Sequence, residues 1–135
     1  MKLSELWPHL PLLFTTLFVA ILFLQSGLDK VFNYKGNLEW LTGHFAKSPL
    51  RGTIGMMLPV LTAMEVASGV LSAVGIVYFL LTGAVTLIFY ASILAAASLT
   101  ALFFGQRMAQ DYPGAVSLVP YFILAILMMY LSLPR

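Results

Sequence analysis

One carboxylate, Glu65, stands alone in LPVLTAMEVASGVLSAVG, residues 58–75, with no other charge in the stretch. Near the centre of a membrane span an acidic side chain costs about 2.5–3.5 kcal/mol on insertion scales, so something must offset that cost. Thr62 lies three residues before it, Ser68 and Gly69 three and four after it, and Ser72 seven after it. Those spacings place all of them on one helical face. The face is small and polar, suited to packing against another helix, and Glu65 is expected to point into a bundle. Burial there favours the neutral form of a carboxyl. The expected hydroxyl partners are Thr86 and Tyr90, four residues apart in the next apolar segment. The plainer alternative is a neutral Glu65 that only hydrogen-bonds a neighbouring helix.

A second group is predicted at one membrane rim. FLQSGLDKVF, residues 23–32, carries Gln25, Ser26, Asp29 and Lys30, and GQRMAQDYPG, residues 105–114, carries Gln106, Arg107, Asp111 and Tyr112. Both close the same side of a four-span chain, so an Asp29–Arg107 or a Lys30–Asp111 pair is expected, either as an entrance or as a structural clasp. His44, alone on a loop helix, is expected to be a solvated residue. No cluster of histidines and carboxylates has metal-ligand spacing, and the methionines are expected to pack the bundle.

Composition sets the class. Of 135 residues, 61% are hydrophobic and 9% charged, far from the roughly 25% charged residues of soluble domains. Mean hydropathy is +0.97. A net charge of +2 from scattered basic residues excludes a nucleic-acid footprint. The absence of cysteine removes thiol relays, iron–sulfur clusters and thiolate haem ligation, and both histidines lie outside the apolar segments. No haem, iron–sulfur or metal cofactor is expected from this chain alone.

The expected fold is all-α: one integral-membrane four-helix bundle over residues 1–135, with a short amphipathic helix in the first loop. Spans are predicted at about 10–28, 54–75, 77–104 and 115–133, each near the ~20 residues a bilayer core requires. Hydropathy is continuous over 53–104, so the turn at Gly75-Ile76-Val77 rests on length. Pro11 suits the first turn of the first span. A charged start containing Glu5, a long apolar run and no small-residue cleavage pattern predict a retained span rather than a signal peptide. In the first loop, Asn37 as N-cap and Lys47 near the C-terminus predict a helix ended by Pro49, with Leu38, Leu41 and Phe45 on its apolar side and Trp40 near the interface. The first and third loops hold five basic residues (Lys30, Lys35, Lys47, Arg51, Arg107) and the opposite side two (Lys2, Arg135), which predicts cytoplasmic loops and external termini.

These features together resemble the DoxX family of small four-span membrane proteins over almost the whole chain. The resemblance rests on FLQSGLDKVF, with Gly27 and Lys30 ending the first span, and on MEVASGVLSAVG, with Glu65, Gly69 and Gly75. The family often has a basic residue after the second span and a histidine ending the third. Here the corresponding segments read IVYFLL and ALFFGQR, so roles tied to those positions are not carried over. The family is named for subunits associated with archaeal thiosulfate:quinone oxidoreductase and terminal oxidase systems. The resemblance therefore implies a subunit of a redox or respiratory assembly in a bacterial or archaeal cytoplasmic membrane.

In that reading a quinone- or lipid-like molecule sits near Glu65, with Thr62, Ser68, Thr86 and Tyr90 around it. Gln25, Asp29, Lys30, Gln106, Arg107, Asp111 and Tyr112 shape the entrance. Expected partners are membrane lipids and other membrane subunits or further copies of the chain, with no nucleic acid. The alternatives are a proton-coupled small-molecule transporter and a non-catalytic structural subunit. An autonomous enzyme is not indicated, because no nucleophile–base pair, nucleotide loop or metal site is present.

Overall fold

Long apolar runs without water to satisfy their backbone must bond internally, and helix is the answer along almost the whole chain. The computed structural model describes residues 3–134. After a single turn α1 (Leu3–Leu6) and a 3-10 turn (Trp7–His9) come α2 (Leu10–Phe32), α3 (Tyr34–His44), α4 (Ile54–Thr82), α5 (Thr86–Met108), α6 (Tyr112–Ser117) and α7 (Val119–Leu131). Among the described residues there is no strand. Four helical stretches are long and apolar enough to cross a membrane: Ser4–Phe32, Ile54–Thr82, Thr86–Met108 and Tyr112–Leu131. The chain is a multi-pass integral membrane protein. Large apolar side chains such as Phe14, Phe18, Leu81 and Ile123 are exposed around it, where lipid would cover them.

Helix α2 packs on α4, α4 on α5, α5 on α7, and α7 back on α2, which closes an antiparallel four-helix bundle. Its core mixes Val19, Phe23, Phe79 and Ile88 with small residues Ala91, Ala95 and Ala125. The small residues let backbones approach, which is how helices gain contact where lipid competes for every apolar surface. Two glycines take this furthest. A Cβ on Gly69 would stand 2.7 Å from the Leu24 backbone nitrogen, and one on Gly27 would stand 3.0 Å from that of Val66. Helices α2 and α4 thus clamp each other reciprocally, glycine to backbone, on both sides of one level.

The turn between the second and third spans falls at Gly83-Ala84-Val85 instead of 75–77. Gly83 adopts φ 77°, a left-handed helix end that favours glycine, and its N–H donates to the Phe79 carbonyl at 2.7 Å. Gly75 is instead buried inside α4, where a Cβ would stand 3.0 Å from Ile88 Cγ1. Uniform hydropathy over this region carried no turn signal, and Gly75 serves packing rather than chain reversal.

The other boundaries shift less. The first span runs on to Phe32, and the fourth begins at Tyr112 and is interrupted at Leu118, two residues before Pro120, which has no N–H to give the preceding turn. Pro11 does fall in the first turn of α2. The loop helix covers Tyr34–His44 rather than Asn37–Lys47. Asn37 does not cap it; its side-chain amide donates to the Asn33 carbonyl at 2.8 Å and reaches Asp29 Oδ2 at 3.3 Å, pinning α3 to the end of α2. The apolar side reads as expected, with Phe45 buried, Leu38 and Leu41 half-buried, and Glu39 and Lys47 exposed. Loops one and three share one end of the bundle; Lys2 and Arg135, counted at the other, lie outside the described residues.

Candidate functional site

The reciprocal glycine contacts decide what meets Glu65. Gly27 follows Ser26 and Val66 follows Glu65, so the close approach of α2 and α4 sets Ser26 and Glu65 within reach of each other. Ser26 and Lys30 are four residues apart and share a helical face. The Ser26 hydroxyl donates to Glu65 Oε2 at 3.1 Å, and the Lys30 ammonium lies 3.0 Å from the same oxygen. Lys30 also donates to Ser26 Oγ at 2.9 Å, which closes a triangle of three polar atoms. The Glu65 side chain is 1% exposed and that of Lys30 14%. A carboxylate and an ammonium thus share a low-dielectric seam, each offsetting the other's desolvation.

The second carboxylate oxygen, Oε1, is buried with no hydrogen-bond partner, as is Ser72 Oγ two turns further along the same face. An orphaned carboxylate oxygen in such surroundings is an acceptor for a proton or a small donor.

The residues expected around Glu65 divide. Thr62 and Ser68 share its face and are buried, but each hydroxyl donates back to its own helix, to the Leu58 carbonyl at 2.7 Å and the Met64 carbonyl at 2.8 Å. Thr86 and Tyr90 are exposed and are not its partners. Thr86 opens α5 just after the turn, and Glu65 lies seventeen residues before the end of α4, about 25 Å away along the axis. Moving the turn from 75–77 to 83–85 carried both residues away from the level of the carboxylate.

The rim residues also pair differently from the expectation. Lys30 turns inward to Glu65, so it does not meet Asp111, and Arg107 lies with its guanidinium carbon 4.5 Å from the Tyr112 ring centroid rather than against Asp29. Gln25 is exposed on α2, and Asp29 accepts from Asn37. Asp111 caps α6, accepting the Gly114 N–H at 3.0 Å through Oδ1, and turns Oδ2 towards His44 Nε2 at 3.4 Å. The same nitrogen stands 3.0 Å from Gln106 Oε1. His44, expected to be solvated, is half-buried and stacked under Trp40 with ring centroids 4.6 Å apart. Trp40 stands one helical turn upstream, but the polar partners Gln106 and Asp111 lie more than sixty residues downstream, where no local pattern announces them.

Beneath α3 the bundle leaves a cavity of about 380 Å³, walled by α3, the first half of α4 and the last turns of α5. Phe45, Ile54, Leu58, Met64 and Leu102 line it, and Gln106 is the one polar side chain in the lining. Exposed Met56 and Val60 at its edge open it sideways towards lipid. Glu65 is not in the lining, although its neighbour Met64 is. A smaller cavity of about 310 Å³ lies beside Leu118, between α5 and the fourth span. Among the described residues no three histidine, aspartate or glutamate side chains converge in a way that could hold a metal ion. No family model, curated protein or solved structure matches the chain.

Proposed function

We propose that this chain is a DoxX-like subunit of a redox or respiratory assembly in a bacterial or archaeal cytoplasmic membrane, and that it holds a quinone- or lipid-like guest. The observation that carries this reading is the cavity under α3, which is apolar, open sideways to the bilayer and lined by a single amide side chain. A single lipophilic tail fits such a space, and pockets of this volume and lining are the usual form of small-molecule sites. The guest lies on the Met64 side of α4, one residue from the carboxylate, and the Lys30–Glu65 pair locks α2 to the helix that forms the cavity wall. Other membrane subunits or further copies of the chain cover part of the exposed apolar surface in this reading.

The orphaned Oε1 of Glu65 supports a second reading, proton-coupled transport, because a buried acceptor without a partner is suited to take up a proton. One experiment separates these from a purely structural subunit: mass spectrometry of small molecules and proteins that co-purify with wild type, Glu65→Gln and Ala101→Phe, the last filling the cavity. The expected result is a lipophile enriched with wild type and lost with Ala101→Phe. The same protein partners in all three samples, with no small molecule enriched in any, would mark a structural subunit. Proton flux in proteoliposomes that disappears with Glu65→Gln but persists with Ala101→Phe would favour the transporter.

A further inference from the structure

We infer that Gln106, oriented by His44 and Asp111, selects guests whose apolar tail ends in a carbonyl hydrogen-bond acceptor. The inference rests on the cavity reading above and specifies its ligand. His44 Nε2 faces two oxygens at once, Gln106 Oε1 at 3.0 Å and Asp111 Oδ2 at 3.4 Å. A carboxylate oxygen only accepts, so the ring hydrogen belongs on Nε2 and the Gln106 carbonyl oxygen must turn to meet it. That contact fixes the amide: its oxygen is committed to His44, and its NH2 group is the half left to donate.

Among the described residues no acceptor takes that NH2 group, and Gln106 is the only polar side chain lining the cavity. The amide is held from behind at several points. Trp40 stacks on the His44 ring, and Phe45, the next residue, packs its own ring edge-on to that of His44 at 5.3 Å while lining the cavity. Asp111 is itself anchored as the cap of α6. A held donor in the wall of an otherwise apolar space recognises an acceptor and disfavours a bare hydrocarbon, because a site built to hydrogen-bond discriminates against the analogue lacking that group. The carbonyl could belong to a quinone ring or to an acyl ester, and both present the same acceptor at the end of a tail.

The test uses the full chain in detergent and native mass spectrometry with three probes of similar tail length: decylbenzoquinone, methyl undecanoate and decylbenzene. One uncharged hydrogen bond at the head corresponds to about three- to tenfold tighter binding of the carbonyl probes than of decylbenzene. Gln106→Leu should abolish that preference while binding decylbenzene at least as tightly as wild type does, since the lining becomes more apolar, and that retained binding shows the cavity to be intact. Gln106→Glu keeps an oxygen for His44 but not the donor, and should abolish the preference too. His44→Ala should reduce it partway through loss of positioning. Tighter binding of decylbenzoquinone alone would identify a quinone head, and of methyl undecanoate alone an acyl ester. Wild type binding all three probes equally, or Gln106→Leu keeping the preference, would overturn the role of Gln106 and leave the cavity reading standing. Binding of none of the three would overturn both.

Discussion

Lys30 and Glu65 show how much a single buried pair can weigh inside a bundle. Glu65 is sealed from solvent and Lys30 largely so, and removing the lysine leaves the carboxylate buried without compensation, a loss of up to about 3–5 kcal/mol in comparable interiors. Replacing both together by apolar residues of similar size removes the desolvation cost along with the attraction. Glu65→Leu and Lys30→Met should therefore each lower the unfolding temperature in detergent, while the double variant recovers most of the loss. A double variant no more stable than the worse single one would mean that the pair is not coupled. Ser26 is part of the same unit, since its hydroxyl accepts from Lys30 and donates to Glu65.

Among the elements, α2 and α4 matter most, and their meeting is governed by glycines rather than by large side chains. A methyl group at Gly69 would press on the Leu24 backbone, which cannot rotate away, so Gly69→Ala forces the helices apart. Overpacking of this kind costs about 1–3 kcal/mol, and here it would also stretch the Ser26–Glu65 contact. Gly43 in α3 is the control, because nothing lies within 4 Å of a Cβ placed there. Gly43→Ala should be neutral or stabilising by about 0.5–1 kcal/mol, since alanine loses less freedom than glycine on entering a helix. Chemical denaturation of both variants in one detergent would check the contrast, and equal stabilities would mean that the close approach carries no weight.

At the scale of the whole molecule, the arrangement puts α3, the His44 cluster and the cavity beneath α3 at one end of the bundle and the Gly83 turn at the other. The positive-inside rule, applied to the excess of basic residues in the first and third loops, predicts that this end faces the cytoplasm. Because the chain has no cysteine, Lys35→Cys and Thr82→Cys each provide one unique thiol. An impermeant maleimide added to intact cells should label Thr82→Cys and spare Lys35→Cys until the membrane is opened. The reverse pattern would invert the topology and place α3 and the cavity beneath it at the outer side of the membrane.

The sequence by itself determined the membrane class, four spans, an amphipathic loop helix with Leu38, Leu41 and Phe45 inward, and a Glu65 turned into the bundle on a small-residue face. Each of these follows from composition, from run length or from spacing along one helix, which are local properties of the chain. The position of the second turn was not legible, because hydropathy from 53 to 104 is uniform and neither Gly75 nor Gly83 differs from the other as a residue type. That eight-residue difference changed the partner of the carboxylate. Gly75 faces Ile88, so ten residues back on α4 the level of Glu65 falls near Ser98 on α5, far from Thr86. Only the tertiary structure decided that Lys30 turns inward to Glu65 and that His44 meets Gln106 and Asp111. Such pairings depend on the register of packed helices, and in an apolar chain that register is set by where backbones can touch rather than by any pattern along one segment.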